Sequence, residues 1–138
     1  MRLARLAADA RFLLPLGLWV LLGAPHARAG DPEAGRAVFI DRERGHCLLC
    51  HQVQQLDAPF QGNIGPDLSN VGARLDARML RDRVTDPTRF NPDTAMPAYH
   101  RSDGLNQVMT RYADQPVLDA QELDDLVAYL LTLTTSGE

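Results

Sequence analysis

The stretch GHCLLCHQV, Gly45 to Val53, constrains this chain more than any other: two cysteines stand two residues apart, and a histidine follows the second at once. Four chemistries use such a cluster. Cys47 and Cys50 are the only cysteines, so they can form one disulfide, but a bridge closing so small a loop adds little stability. A redox dithiol needs the motif at a helix start beside a strand in a βαβ unit, and no such pattern surrounds it. A zinc site would have to recruit two of His46, His51 and His100, yet no second ligand pair stands at finger-like spacing. The fourth chemistry is covalent attachment of a c-type haem, which C-x-x-C-H names directly. Both thiols then add to porphyrin vinyl groups, and the turn between them brings His51 beneath the iron as an axial ligand. The spacer residues Leu48 and Leu49 are expected to face the macrocycle or the helix behind it.

The rest of the chain suits the haem reading. Residues 1–29 read as a secretory signal peptide: Arg2, Arg5 and Arg11 open it, Phe12 to Ala24 is apolar, and Ala27-Arg28-Ala29 fits a small-x-small cleavage site. The apolar run is broken by Pro15 and Gly17 and falls short of the ~20 residues a spanning helix requires. The expected product is a periplasmic domain of residues 30–138 with no membrane span. Its aromatic inventory is thin, because the single tryptophan, Trp19, lies in the leader and only Phe39, Phe60, Phe90, Tyr99, Tyr112 and Tyr129 follow it. A porphyrin completes such a core. Burying several hundred Å² at ~25 cal/mol per Å² supplies several kcal/mol, which is decisive for a domain whose whole margin is ~5–15 kcal/mol. The chain without its haem is therefore expected to fold poorly. Residues 30–138 carry 10 arginines, no lysine and 17 acidic groups, a formal charge of −7, which disfavours nucleic acid and anionic membranes as partners.

Local patterns predict an all-α fold with long ordered loops. Asp31 as N-cap and Pro32 at the first helical position start a helix in DPEAGRAVFIDRERG, which Gly45 closes. The stretch from Gln52 to Arg74 is rich in Gly, Pro and Asn and reads as mostly loop. A second helix is predicted from Asp76 to about Thr85, with Leu80 and Val84 one turn apart and Asp86-Pro87 ending it. Leu105 to Tyr112 has room for a helical turn or two. The last helix is the clearest: Asp119 and Glu122 form a capping box, and Leu123, Leu126, Val127, Leu130 and Leu131 make one apolar stripe.

A distal iron ligand must come from Met79, Met96, Met109 or His100. Met79 falls inside the second helix and Met109 in a possible helical turn, where a methionine is usually core filler. Met96 differs, because Pro97 stiffens an irregular loop that can hold a thioether against the iron. The reading settles on Met96, with His100 and an open site as alternatives; His46 and His100 are otherwise surface histidines. Thioether ligation raises the reduction potential relative to bis-histidine ligation and leaves no vacancy for substrate, which points to electron transfer rather than catalysis.

These residues resemble a class I c-type cytochrome: Gly35 and Phe39, CLLCH, GPDL, the Met96-Pro97 loop and LVAYL. The resemblance implies that Gly35 and Phe39 pack against Leu126 and Tyr129, so that the terminal helices cross around one covalent haem c. It also implies that the Pro66 carbonyl orients the His51 ring and that Arg74 meets a haem propionate. GNIGPDLSNVGAR, FNPDTAMPAYH and PVLDAQELDDLVAYL are similar to the SoxX family, the small monohaem subunits of the SoxAX complexes of bacterial sulfur oxidation. His46 and Leu49 stand where a smaller or amide residue is expected. What the SoxX resemblance implies is a heterodimer with a SoxA-like dihaem or monohaem cytochrome. That complex, an L-cysteine S-thiosulfotransferase, oxidatively joins thiosulfate to a cysteine of a SoxYZ-like carrier protein and passes electrons to a downstream acceptor. A free electron shuttle and an open-site haem enzyme or gas sensor are the competing readings.

Overall fold

The computed structural model describes residues 29–105 and 107–134; the leader, apart from Ala29, lies outside them. Four α-helices carry the fold: α1 (Pro32–Ile40), α2 (Val71–Arg74), α3 (Ala77–Thr85) and α4 (Ala120–Thr132). Single 3₁₀ turns at Cys47–Leu49, Pro87–Arg89 and Thr110–Tyr112 punctuate the loops, and no strand occurs among the described residues.

The caps do what the sequence predicts. The Asp31 carboxylate accepts hydrogen bonds from the Glu33 and Ala34 amides at the start of α1, and Asp76 accepts from Met79 at the start of α3. Asp119 and Glu122 close a reciprocal capping box on α4. One local reading changes. Loop composition hid α2, a single turn tucked under α4, where Gly72 packs so closely on the Leu130 and Leu131 carbonyls that a β-carbon would collide. The helical turn expected between Leu105 and Tyr112 is the 3₁₀ turn at Thr110–Tyr112.

The most extensive packing joins α1 to α4. Gly35 makes it possible, because the backbone of Asp125 and Leu126 occupies the space any side chain there would need. One turn on, the Phe39 ring meets Tyr129 edge-on, with centroids 5.4 Å apart. Asp125 reinforces the crossing: its nearly buried carboxylate accepts from the Asp31 amide and from Gln121, each at 2.8 Å. The core then runs from Val38 and Phe39 through Leu80, Val84 and Leu118 to Leu123, Leu126 and Leu130. Leu48 and Met96 pack against it from the loops.

Candidate functional site

The turn after α1 reverses through His46, whose φ of 45° lies in the left-handed region. A short amide or glycine relaxes there more easily than an imidazole does, which accounts for the departure noted at this position. The 3₁₀ turn that follows places Cys47 and Cys50 with the Cys50 and His51 amides both donating to the Cys47 carbonyl. No disulfide joins Cys47 to Cys50. Burial pushes the Cys47 thiol up to about 12, the opposite of what a redox dithiol needs. Nor do three His, Cys, Asp or Glu side chains converge anywhere among the described residues in a way that could hold a separate metal ion.

His51 is held from two sides. Its Nδ1 stands 2.8 Å from the Pro66 carbonyl oxygen; since a carbonyl only accepts, Nδ1 carries the proton and Nε2 keeps its lone pair for a metal. Gly65 lies flat against the imidazole, leaving no room for a β-carbon. The Gly65 amide in turn donates to the Cys50 carbonyl at 2.8 Å, so the GP pair is tied to the cysteine turn.

Opposite this arrangement lies an apolar cleft of about 300 Å³, open solvent at its mouth included, lined by Phe39, Cys47, His51, Leu68, Val84, Met96, Tyr99, Leu126 and Leu130. A thiol and an imidazole from the cysteine turn and a thioether from a distant loop thus share one hydrophobic cleft. Met96 is half-buried and packed on the core, whereas Met79 and Met109 are 38% and 55% exposed; the expectation that those two fill the core does not hold. His100 is engaged elsewhere, its Nδ1 2.7 Å from the Leu118 carbonyl, and is half-buried rather than a free surface group.

The chain belongs to the cytochrome c family. The family model for cytochrome c matches residues 32–134. A chain of the crystal structure of SoxXA from P. pantotrophus is 32% identical, with a TM-score of 0.72 over 78% of this chain and 85% of that one. No curated protein matches it significantly. The protein is thus a SoxX-like class I cytochrome c, all-α, with one covalently bound haem c.

The cytochrome's donor set fits that group. Cys47 and Cys50 would hold it through thioethers, and His51 and Met96, which line the same cleft, would supply an imidazole and a thioether to the iron. When bound, haem supplies one-electron exchange between ferric and ferrous iron. Phe39, Leu68, Val84, Leu126 and Leu130 line the cleft and would exclude water from the group, and Arg74 sits on loop carbonyls, its Nε donating to the Asn70 carbonyl and its Nη2 to the Asp67 carbonyl.

One contributor escaped the sequence reading. Tyr99 lines the cleft and donates its hydroxyl to the Gly45 carbonyl at 2.9 Å, which clamps the Met96 loop to the entrance of the cysteine turn. Burial raises its pKa. The position of Tyr99 three residues after Met96 was the available signal. Leu49, unlike Leu48, is 59% exposed and does not pack on the core.

Proposed function

We propose that this cytochrome is the periplasmic electron-transfer subunit of a SoxAX-like complex that oxidatively conjugates thiosulfate to a cysteine of a SoxYZ-like carrier protein. The observation that carries the proposal is the likeness to a chain of SoxXA over 85% of that chain's length. The site chemistry agrees with a carrier role. Both cysteines are committed to thioethers, which leaves no thiol in residues 30–138 for sulfur chemistry. His51 and Met96 line the same cleft, and iron ligated by both would keep no vacancy for a substrate.

Joining a thiol to thiosulfate forms one sulfur–sulfur bond and releases one proton and two electrons. The bond forms on the partner and carrier proteins, and this chain's task is to accept the electrons singly and deliver them to a downstream acceptor. Its residues serve that task by rigidity. The Pro66–His51 bond, the Tyr99–Gly45 bond and the apolar walls keep both ligands in place and water out while charge changes, which keeps reorganisation small.

Affinity purification from the native host tests this, with the visible spectrum and mass of everything retained. A larger SoxA-like haem protein at a one-to-one ratio is expected, together with a mature mass that starts at Gly30. A lone monohaem protein would overturn the subunit reading in favour of a free shuttle.

A further inference from the structure

Three large apolar side chains stand in solvent beside the cysteine turn. Phe60 is 97% exposed, Ile64 72% and Leu49 59%. The backbone brings their two segments together: Gly62 donates to the Leu48 carbonyl at 2.8 Å, Gly65 donates to the Cys50 carbonyl at 2.8 Å, and Gly62 packs against the Leu49 carbonyl with no space for a β-carbon. The 60–65 segment is therefore laid along the 48–50 turn.

Phe60 is also presented under strain. Its φ of 63° lies in the left-handed region, uncommon for a bulky residue. Gln61 holds the loop in that shape from the inside, accepting from the Val53 amide at 2.6 Å and donating to the Leu56 carbonyl at 2.9 Å and to the Ala58 carbonyl at 3.3 Å. A pinned loop that pays backbone strain to hold a ring in water has the character of a preorganised contact.

The charge pattern says what kind of surface covers it. From Gly45 to Pro66 the only charged side chain is Asp57, in a chain with 23% charged residues. Charge depletion around exposed aromatic and aliphatic groups marks the centre of a lasting interface rather than a salt-steered encounter. A second copy of this chain is disfavoured, since each would bring the same charge of −7 to the contact.

We infer that Leu49, Phe60 and Ile64 form the docking face for the haem-bearing partner subunit, which meets them with an uncharged apolar surface next to the cysteine turn. The inference rests on the subunit reading above. It places the centre of an interface of roughly 800 Å² per partner directly over the haem-attachment loop.

The test uses the mature holo-cytochrome and the SoxA-like subunit of the same source, with Kd measured by titration at low and high salt and masses by light scattering. Phe60→Gly keeps the left-handed backbone and removes only the ring. It is expected to weaken the complex about 30-fold, with Ile64→Ser weakening it about 10-fold. Haem content and spectrum stay unchanged in both, and the Tm of Phe60→Gly stays level or rises. Phe90→Ser, which removes another half-exposed ring, changes Kd less than about 2-fold. The wild-type complex is expected to persist at high salt. Wild-type affinity in Phe60→Gly overturns the docking face and leaves the subunit reading standing. Failure of the wild-type chain to bind overturns both. A homodimer that Phe60→Gly disperses shows the face to be self-associating and overturns the choice of occupant.

Discussion

Gly35 of α1 lies against the backbone carbonyl of Asp125 in α4, with no gap in which a β-carbon could sit. This contact sets the distance between the terminal helices, and through Phe39 and Tyr129 it sets the back wall of the haem cleft. Gly35→Ala must push backbone against backbone. It is expected to cost about 2–3 kcal/mol, lowering the Tm of the holo-protein by roughly 10–20 °C in a domain of this size. Thermal unfolding followed in the haem absorption band measures it.

Met96→Ala should leave haem covalently attached and remove the near-infrared band that marks thioether-iron bonding. Carbon monoxide should then bind readily to the ferrous protein, while Met79→Leu and Met109→Leu leave band and gas binding unchanged. Persistence of the band in Met96→Ala would move the ligand to another residue.

At Gly65 even one methyl group has nowhere to go but into the His51 ring. Gly65→Ala is expected to tilt the imidazole off the Pro66 carbonyl and to destabilise the holo-protein by about 1–3 kcal/mol. The reduction potential should shift as the Nδ1 hydrogen bond is lost. Voltammetry beside the wild type reads the shift, and an unchanged potential would show that the Pro66 bond does not tune the iron.

Acid sensitivity is expected to track Asp86, which sits at the junction of α3 and the following turn. The Thr88 hydroxyl, 2.5 Å away, lowers its pKa most, burial opposes the shift, and Arg101 at 2.9 Å adds to the lowering. A carboxylate whose folded pKa is depressed contributes stability that is fully present above its unfolded value of ~3.9 and is lost as pH falls through the folded value. Asp86→Asn should therefore be less stable than wild type at neutral pH, with the difference shrinking below about pH 4. Urea unfolding between pH 7 and pH 2.5 gives the comparison, and parallel curves would rule the carboxylate out.

The capping box of α4 offers a separate check. Asp119 accepts from the Glu122 amide at 2.8 Å, and Glu122 returns a bond to the Asp119 amide at 3.0 Å. Glu122 also meets Arg44, at 2.8 Å, from the loop before the cysteines. Asp119→Ala should cost about 1 kcal/mol, measured by chemical denaturation, without altering the haem spectrum.

Much of this protein was legible in its residues because the signals are local. C-x-x-C-H specifies haem attachment through chain geometry alone, and Asp31-Pro32, Asp76 and Asp119 with Glu122 announce helix starts through bonds spanning a few residues. The all-α class and the choice of Met96 over Met79 followed from the same kind of reasoning. Reading Met79 and Met109 as core filler failed because burial depends on which helix face meets a neighbour, and α3 turns Met79 partly outward. The turn of α2 was hidden for a related reason: its loop-like composition is overridden by the close seat of Gly72 beneath α4.

By itself, then, the amino-acid order determined the prosthetic group and pointed to its covalent anchors and to the imidazole that would ligate its iron, since these lie within five consecutive residues and need no tertiary information. Only the folded chain decided that Met96, some forty-five residues beyond His51, shares a cleft with it, that Tyr99 clamps the two loops together, and that Leu49 is left exposed along with Phe60 and Ile64. Such pairings cross large sequence separations. They are set by which apolar faces exclude water together and by where glycines let backbones touch, and no local pattern encodes either.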